Sequence, residues 1–490
     1  MIFYIFKKMG SIMDCGPKER KKRSNSADKK NYRNNNINKK GKNDKNEKND
    51  KNSKNSDSKK AKNKNNKEIR ELNTIKKEEK KYKNKSDEFD NDSKLDKKKS
   101  KTPDKNFFQY ENNKITENEI KIHTIPKEEE ETTIIRGLDN IGATCYMNAT
   151  LQSLSNTPTL AEYFLNEFKL NENDGSKKLS NAFYVLLKHL WKKNAKKKSF
   201  PPNDFKKVLS EENPLFSGIA ANDSKDLLNF ILERLHKELN KKENDNENIN
   251  IYNNEQNLDQ AQLNEEMMKT IFFKDFTKNY RSIISDNFYF TMETKVKCLG
   301  CNLIKYNFQV NPFIEFPLEE VNKYLYSQGR LMSLVNLDGS NPDVNIYNCF
   351  EYYNKIDLMS GENKMYCNNC QKCWDSYYQN ILYILPKYLI INLNRGKNAA
   401  YQCKVLFPEQ LDITNYVTYK DMNTKFELYA VICHIGPSSM SGHFVAYCRN
   451  RMDQKWYLYN DAIVTLCQQP NEYQNKMPYI LFYRSLNNKI

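Results

Sequence analysis

Two groups of residues in this sequence have the types and spacing for chemistry. The first begins at Cys145, in GLDNIGATCYMNATLQSLSN. The offsets of Cys145, Leu151 and Leu154 predict a helix that opens at the cysteine, and Thr157-Pro158 stops it. A thiol at a helix start meets unpaired N–H groups and the positive end of the dipole. Both favour the thiolate, the form that attacks a carbonyl carbon. Asn140 lies five residues upstream, and its amide could donate to the oxygen made negative by such an attack. Gly137 and Gly142 permit sharp turns on either side of it.

A nucleophilic thiol needs a base, and the chain has only five histidines. His123 lies in a polar tail, while His189 (FYVLLKHLWKK) and His236 (ERLHKEL) read as structural helix residues. YAVICHIGPSSMSGHFVAYCRN holds the other two. His443 follows Ser441-Gly442 at the start of a predicted strand and is the better general base; His434 reads as a loop-shaping neighbour. The base needs a partner that fixes its tautomer. WYLYNDAIV offers Asn460 and Asp461 at a strand end, and either could accept from the imidazole.

The second group is Cys298-Leu-Gly-Cys301 and Cys367-Asn-Asn-Cys370. Two CxxC knuckles supply four soft ligands, the set that Zn²⁺ favours, and leave no open position, so the role is structural. Cys373 forms a competing pair with Cys370, which leaves one ligand open.

These groups need elements to position them. Residues 1–130 carry 38 Lys and Arg against 23 Asp and Glu; the chain totals of 79 and 62 leave 41 against 39 for the rest. The basic character therefore belongs to the tail, and a whole-chain argument for nucleic-acid binding fails. Residues 14–130 read as disordered, with too little apolar surface to bury a core. The lysine clusters at 17–23 and 97–101 read as solvated tail rather than an address to the nucleus. From Thr132 the apolar content rises. A second helix is expected from Ser224 to Leu239, with Leu228, Ile231, Leu232 and Leu235 on one face, and residues 241–260 read as a loop. Phe288–Phe290, Tyr383–Leu393, Phe426–Cys433, Phe444–Cys448, Trp456–Tyr459 and Tyr479–Tyr483 read as strands. Helices first and strands later predict an α+β arrangement. No secretory signal or membrane-length apolar run is visible, so a reducing compartment, cytoplasmic or nuclear, is expected.

Together these pieces resemble the ubiquitin-specific protease family, the papain-like cysteine deubiquitinases. GLDNIGATCYMNATLQSLSN resembles its cysteine box, and YAVICHIGPSSMSGHFVAY with WYLYNDAIV its histidine box. NDSKDLLNFILERLHKEL, LPKYLIINLNR and PYILFYR are similar to segments of the family in the same order, over roughly residues 134–486. The resemblance implies a right-hand architecture over residues 131–490. It has a helical thumb (about 136–280), zinc-bearing β fingers (about 281–380) and a β palm (about 381–490). It implies Cys145 as nucleophile, His443 as base, Asn460 as third triad member and Asn140 as oxyanion donor. Cys298, Cys301, Cys367 and Cys370 would hold structural zinc. Asp223 and Asp226 match acidic positions near the arginines of the ubiquitin tail. The implied partners are ubiquitin and ubiquitinated proteins, met by a monomer. No membrane is involved, and nucleic acid is met only through weak contact of the basic tail.

Some positions depart from the pattern. The triad position holds Asn460, Ala221-Asn222 replaces paired glutamines, and Phe444 stands where Tyr is common. Asn orients a ring without supplying charge, so Asp461 would share that work. Two other readings are a catalytically silent ubiquitin-binding module and a protease for a ubiquitin-like modifier.

A charge-assisted hydrogen bond contributes about 1.5–3 kcal/mol. Asn460→Ala is therefore expected to lower cleavage of a ubiquitin–fluorophore conjugate by roughly 10- to 100-fold, less than Cys145→Ala does. Equal losses in the two variants would contradict the assignment.

Overall fold

The computed structural model describes residues 134–171, 173–241, 265–419, 423–438, 441–470 and 477–486. The tail expected to be disordered and most of the loop read at 241–260 lie outside the described residues.

The first third of the described chain is helical. Cys145–Ser155, Lys178–Leu190, Asn203–Glu212 and Ser224–Glu238 supply its main helices. Asp223 caps the last, accepting the Lys225 backbone N–H at 2.8 Å. The helix that opens at Cys145 differs from an ordinary amphipathic one, because all of its residues are buried. It runs between helix Ser224–Glu238 and strand Ser441–Arg449. Its polar side chains therefore bond within the fold. Gln152 Nε2 donates to the Arg136 carbonyl at 2.9 Å, and Ser153 Oγ to that of Ala149 at 3.0 Å.

The later strands form two main sheets. The smaller has the order Ile304–Asn311, Phe290–Cys298, Ser376–Ile384, Ile356–Met359, with neighbours antiparallel. The larger has the order Ile463–Cys467, Trp456–Asn460, Ser441–Arg449, Lys425–Ser438, Met477–Ser485, Tyr388–Asn394, Ile314–Pro317. Gln410–Asp412 adds to Lys425–Ser438 off that path. Only the last pair in the order, Tyr388–Asn394 with Ile314–Pro317, is parallel.

Both faces of the central strands of the large sheet are covered. Along successive residues Ile480, Phe482, Phe444 and Ala446 pack toward the helical layer. Leu481, Tyr483, Val445 and Tyr447 pack on the opposite side, against helices Leu318–Ser327 and Ile346–Tyr353. A sheet buried on both faces reads as continuous apolar runs, which is why these strands lack polar alternation in the sequence.

Two of the expected strands need correction. Phe288 ends a helix, Ile283–Phe288, and the strand begins at Phe290. Ser282 and Ser285 close a capping box at that helix start, a signal stronger than the aromatic run. Tyr383–Leu393 is two strands, Ser376–Ile384 and Tyr388–Asn394, in different sheets. They part at Leu385-Pro386-Lys387, where Pro386 has no N–H for a ladder.

One glycine joins the first residues to the last sheet. A Cβ on Gly137 would sit 2.5 Å from the Ala462 carbonyl oxygen and 2.6 Å from that of Asp461. The next residue, Leu138, donates its N–H to the Asp461 carbonyl at 3.0 Å. Gly137→Ala is expected to push these segments apart and cost about 1–3 kcal/mol. A fall in the urea unfolding midpoint measures it; an unchanged midpoint would show that the contact yields freely.

Candidate active site

Short strand Gly137–Leu138 pairs with Ser199–Phe200, and the chain then turns through Asn140 to Thr144 into the Cys145 helix. The turn uses Gly142 at φ 124° and Ala143 at φ 46°, left-handed backbone that glycine takes at little cost and alanine does not. Asn140 Oδ1 accepts the backbone N–H of Thr144 at 3.0 Å and of Gly142 at 3.3 Å. The amide oxygen is thus turned toward the helix start, and Nδ2 faces away, donating to Asp461 Oδ2 at 2.9 Å.

The other half comes from the large sheet. His443 lies in Ser441–Arg449, and Asn460 ends the neighbouring strand Trp456–Asn460. The imidazole Nε2 lies 2.6 Å from Asn460 Oδ1. An amide oxygen only accepts, so Nε2 carries the proton in this contact and Nδ1 of the neutral ring holds the lone pair. Asp461 follows in a turn at φ 51°. Its Oδ2 is 3.8 Å from Nε2, beyond hydrogen-bond reach, while Oδ1 accepts from Asn148 Nδ2 at 2.8 Å. Of the two residues able to meet the imidazole, Asn460 makes the direct bond and Asp461 bonds two amides.

The two halves meet at the sulfur. The backbone N–H of Phe444, the residue after His443, hydrogen-bonds to the Cys145 thiol. Cys145 is only 5% exposed. Burial pushes its pKa up; the Phe444 N–H pulls it down, Asp461 raises it again, and the N–H groups of Tyr146 and Cys145 lower it. The net shift is upward. This corrects the expectation of a thiol acidified by its helix start: lost solvation outweighs the helix N–H groups.

Of the other described histidines, His434 packs beside this site, and His189 and His236 sit apart from it. His434 is buried in Lys425–Ser438 with its ring 4.6 Å from that of Phe444. His189 stacks on Phe200, and His236 Nδ1 meets Ser282 Oγ at 2.7 Å; burial pulls its pKa down to about 4.

Asp223 and Asp226 lie at the start of helix Ser224–Glu238. Asp223 Oδ2 accepts from Tyr479 Oη at 2.6 Å, and the Tyr479 ring is 5.6 Å from that of Phe444, so this corner packs beside Phe444. Asp226 has its pKa raised by burial first, then by Asp223 and Glu315, against a lowering by Lys225. The Lys225 ammonium stands 3.8 Å from Asp226 and 3.6 Å from Glu315. Neither Glu315 nor Tyr479 was singled out from sequence. Each arrives on a strand remote in the chain, and neither has a local motif.

Cys298, Cys301, Cys367 and Cys370 converge, all four sulfurs within 4.8 Å of one another. Cys298 Sγ is 3.9 Å from Cys370 Sγ, and Cys301 Sγ is 3.7 Å from Cys367 Sγ. Four sulfurs each about 2.3 Å from a central ion stand about 3.8 Å apart in a tetrahedron, so the cluster could hold a metal ion. Cys373 is outside this set, on strand Lys372–Trp374, opposite Tyr366. Gly300 is required in the first knuckle, because a Cβ there would lie 2.5 Å from the Trp374 ring. No helix among the described residues is long and apolar enough to cross a membrane.

The raised Cys145 pKa makes a prediction. A thiol with a raised pKa stays protonated at neutral pH and gains reactivity as pH climbs through that pKa. Alkylation of Cys145 by iodoacetamide in the free protein is expected to rise with a midpoint above that of an unperturbed cysteine. A midpoint below it would show that His443 holds a thiolate at rest.

Comparison with known proteins fits this arrangement. The family model described as ubiquitin carboxyl-terminal hydrolase matches residues 136–483. The chain is 26% identical over 359 residues to the bovine ubiquitin carboxyl-terminal hydrolase 2, covering 71% of this chain and 55% of that protein. It is 26% identical over 363 residues to the Drosophila melanogaster ubiquitin carboxyl-terminal hydrolase Usp2 (71% and 34%). It is 25% identical over 377 residues to the ubiquitin carboxyl-terminal hydrolase 4 of Saccharomyces cerevisiae (71% and 39%). The chain thus spans between a third and just over half of these relatives. Its fold is also similar to a solved SAGA DUB module of Ubp8, Sgf11, Sus1 and Sgf73 bound to monoubiquitin. There the TM-score is 0.52 at 18% identity, covering 73% of this chain and 70% of that one. With the family model matching well over half of its length, the chain belongs to the ubiquitin carboxyl-terminal hydrolase family.

Proposed function

We propose that this protein is a thiol-dependent deubiquitinase that hydrolyses the bond after the C-terminal glycine of ubiquitin. One observation carries the reading. A buried thiol accepts the N–H of Phe444, the residue next to His443, whose imidazole Nε2 is held by Asn460. That arrangement has the parts of a nucleophile, a base and an orienter.

In this reading His443 Nδ1 takes the Cys145 proton as the sulfur attacks the glycine carbonyl. Transfer to the imidazole meets the cost of a buried thiolate, since the ion pair forms only as the bond is made. The carbonyl oxygen gains the negative charge. The backbone N–H of Cys145 and the Asn140 Nδ2 hydrogen not given to Asp461 are the donors for it. His443 returns the proton to the leaving amine. Water then attacks the thioester and releases ubiquitin. Asp226 and Glu315, with Asp223 behind them, would meet cationic side chains of the ubiquitin tail, as charge-assisted pairs.

Cys298, Cys301, Cys367 and Cys370 would hold zinc in a purely structural site, four thiolates leaving no coordination position for substrate. The proposed organisation is a thumb to about residue 280, fingers to about 380 and a palm beyond, acting as a monomer in cytoplasm or nucleus.

The full chain is expected to cleave a ubiquitin–fluorophore conjugate, and Cys145→Ala to lose at least about 10³-fold in rate. Retained ubiquitin binding without cleavage by the unmodified chain would instead support a silent binding module. Elemental analysis should find one zinc per chain, lost in Cys370→Ser and kept in Cys373→Ser. The reverse pattern would reassign the fourth ligand.

A further inference from the structure

We propose that Asn148 is a positioning residue that aims the oxyanion donor Asn140 through Asp461; this deepens the proposed function and rests on it. Asn148 lies on the helix that Cys145 opens and is 2% exposed. Its Nδ2 lies 3.3 Å from the Leu138 carbonyl, 3.2 Å from that of Asp139 and 2.8 Å from Asp461 Oδ1. The contact to the carboxylate is the shortest and is charge-assisted. Asn148 Oδ1 is buried with no hydrogen-bond partner among the described residues, so the amide is held through Nδ2.

The bonds continue from there. Asp461 Oδ2 accepts one hydrogen of Asn140 Nδ2 at 2.9 Å. Asn140 Oδ1 is held by the N–H groups of Thr144 and Gly142, so turning the amide over would set donor against donor. An amide nitrogen carries two hydrogens. With one given to Asp461, the other has a fixed direction and is left for a substrate oxygen. Asp461 itself sits in left-handed backbone that a non-glycine residue keeps only when its surroundings fix it. Asn148 fixes the carboxylate, and the Leu138 N–H fixes its peptide oxygen. The helix that delivers the sulfur therefore also sets the donor's aim. Sub-ångström changes in such aim alter turnover.

Cleavage of ubiquitin–fluorophore by the full chain tests this, with kcat and KM read separately for Asn148→Ala, Asn140→Ala and the double variant. Asn148→Ala is expected to lose roughly tenfold in kcat with KM within about twofold, as for a weakened oxyanion donor. The double variant should lie within about twofold of Asn140→Ala, since both act on one donor. An unchanged kcat, or losses that multiply, overturns the proposal. Should Asn148→Ala not fold, Asn148→Asp decides. Its new carboxyl donates to Asp461 only when protonated, so its kcat relative to the unmodified enzyme should fall as pH rises. A pH-independent ratio overturns the proposal. If the unmodified chain cleaves nothing, the proposed function fails. The aim of Asn140 is then read from hydrogen exchange of its side-chain amide, which must still quicken in Asn148→Ala; an unchanged rate overturns it.

Discussion

The packing of the fully buried Cys145–Ser155 helix against strand Ser441–Arg449 is the contact on which the rest depends. Ser153 Oγ and Cys448 Sγ meet at 4.0 Å although 295 residues separate them in the chain. Leu151 and Leu154 are fully buried, each worth about 1.5–3 kcal/mol on leaving water. No face of the helix is free for solvent, so its position relative to the sheet has little room to vary. That rigidity places the Cys145 sulfur against the Phe444 N–H. It also places Asn148 against Asp461. A more amphipathic helix would have satisfied the local sequence equally well and left the sulfur loosely held.

Burial carries an electrostatic consequence. The same enclosure that fixes the thiol raises its pKa, and Asp461 raises it further. The site does not meet this with a carboxylate directly on the imidazole. Asn460 takes the Nε2 contact at 2.6 Å and supplies direction, while the negative charge stands 3.8 Å away and holds two amides. Orientation and charge, which one aspartate could combine, are divided between neighbours in sequence.

The two CxxC knuckles tie together segments farther apart in the chain. Between Cys301 and Cys367 the chain leaves the small sheet and crosses into the large one at Ile314–Pro317. It forms helices Leu318–Ser327 and Ile346–Tyr353 and returns at Ile356–Met359. The four sulfurs converge at the base of that excursion, where a metal ion held among them, as proposed, would close it and reduce its loop entropy.

The sequence by itself determined the chemical inventory. Cys145 behind its glycine turn, a short list of histidines and two CxxC knuckles are patterns local enough to read directly. The start of the helix at Cys145 and the strands on either side of His443 were equally legible, since apolar spacing and turn residues act over a few positions. Tertiary structure decided what depends on remote neighbours. It decided that lost solvation outweighs the helix start at Cys145, because burial comes from a sheet hundreds of residues away. It decided that Asn460 rather than Asp461 meets the imidazole, because adjacent residues at a strand end point different ways. It gave Asn148 a place in the site, which a polar residue in a helix does not announce. Residue types fix which reactions are available; only packing fixes distances and solvation, and those set which group does which work.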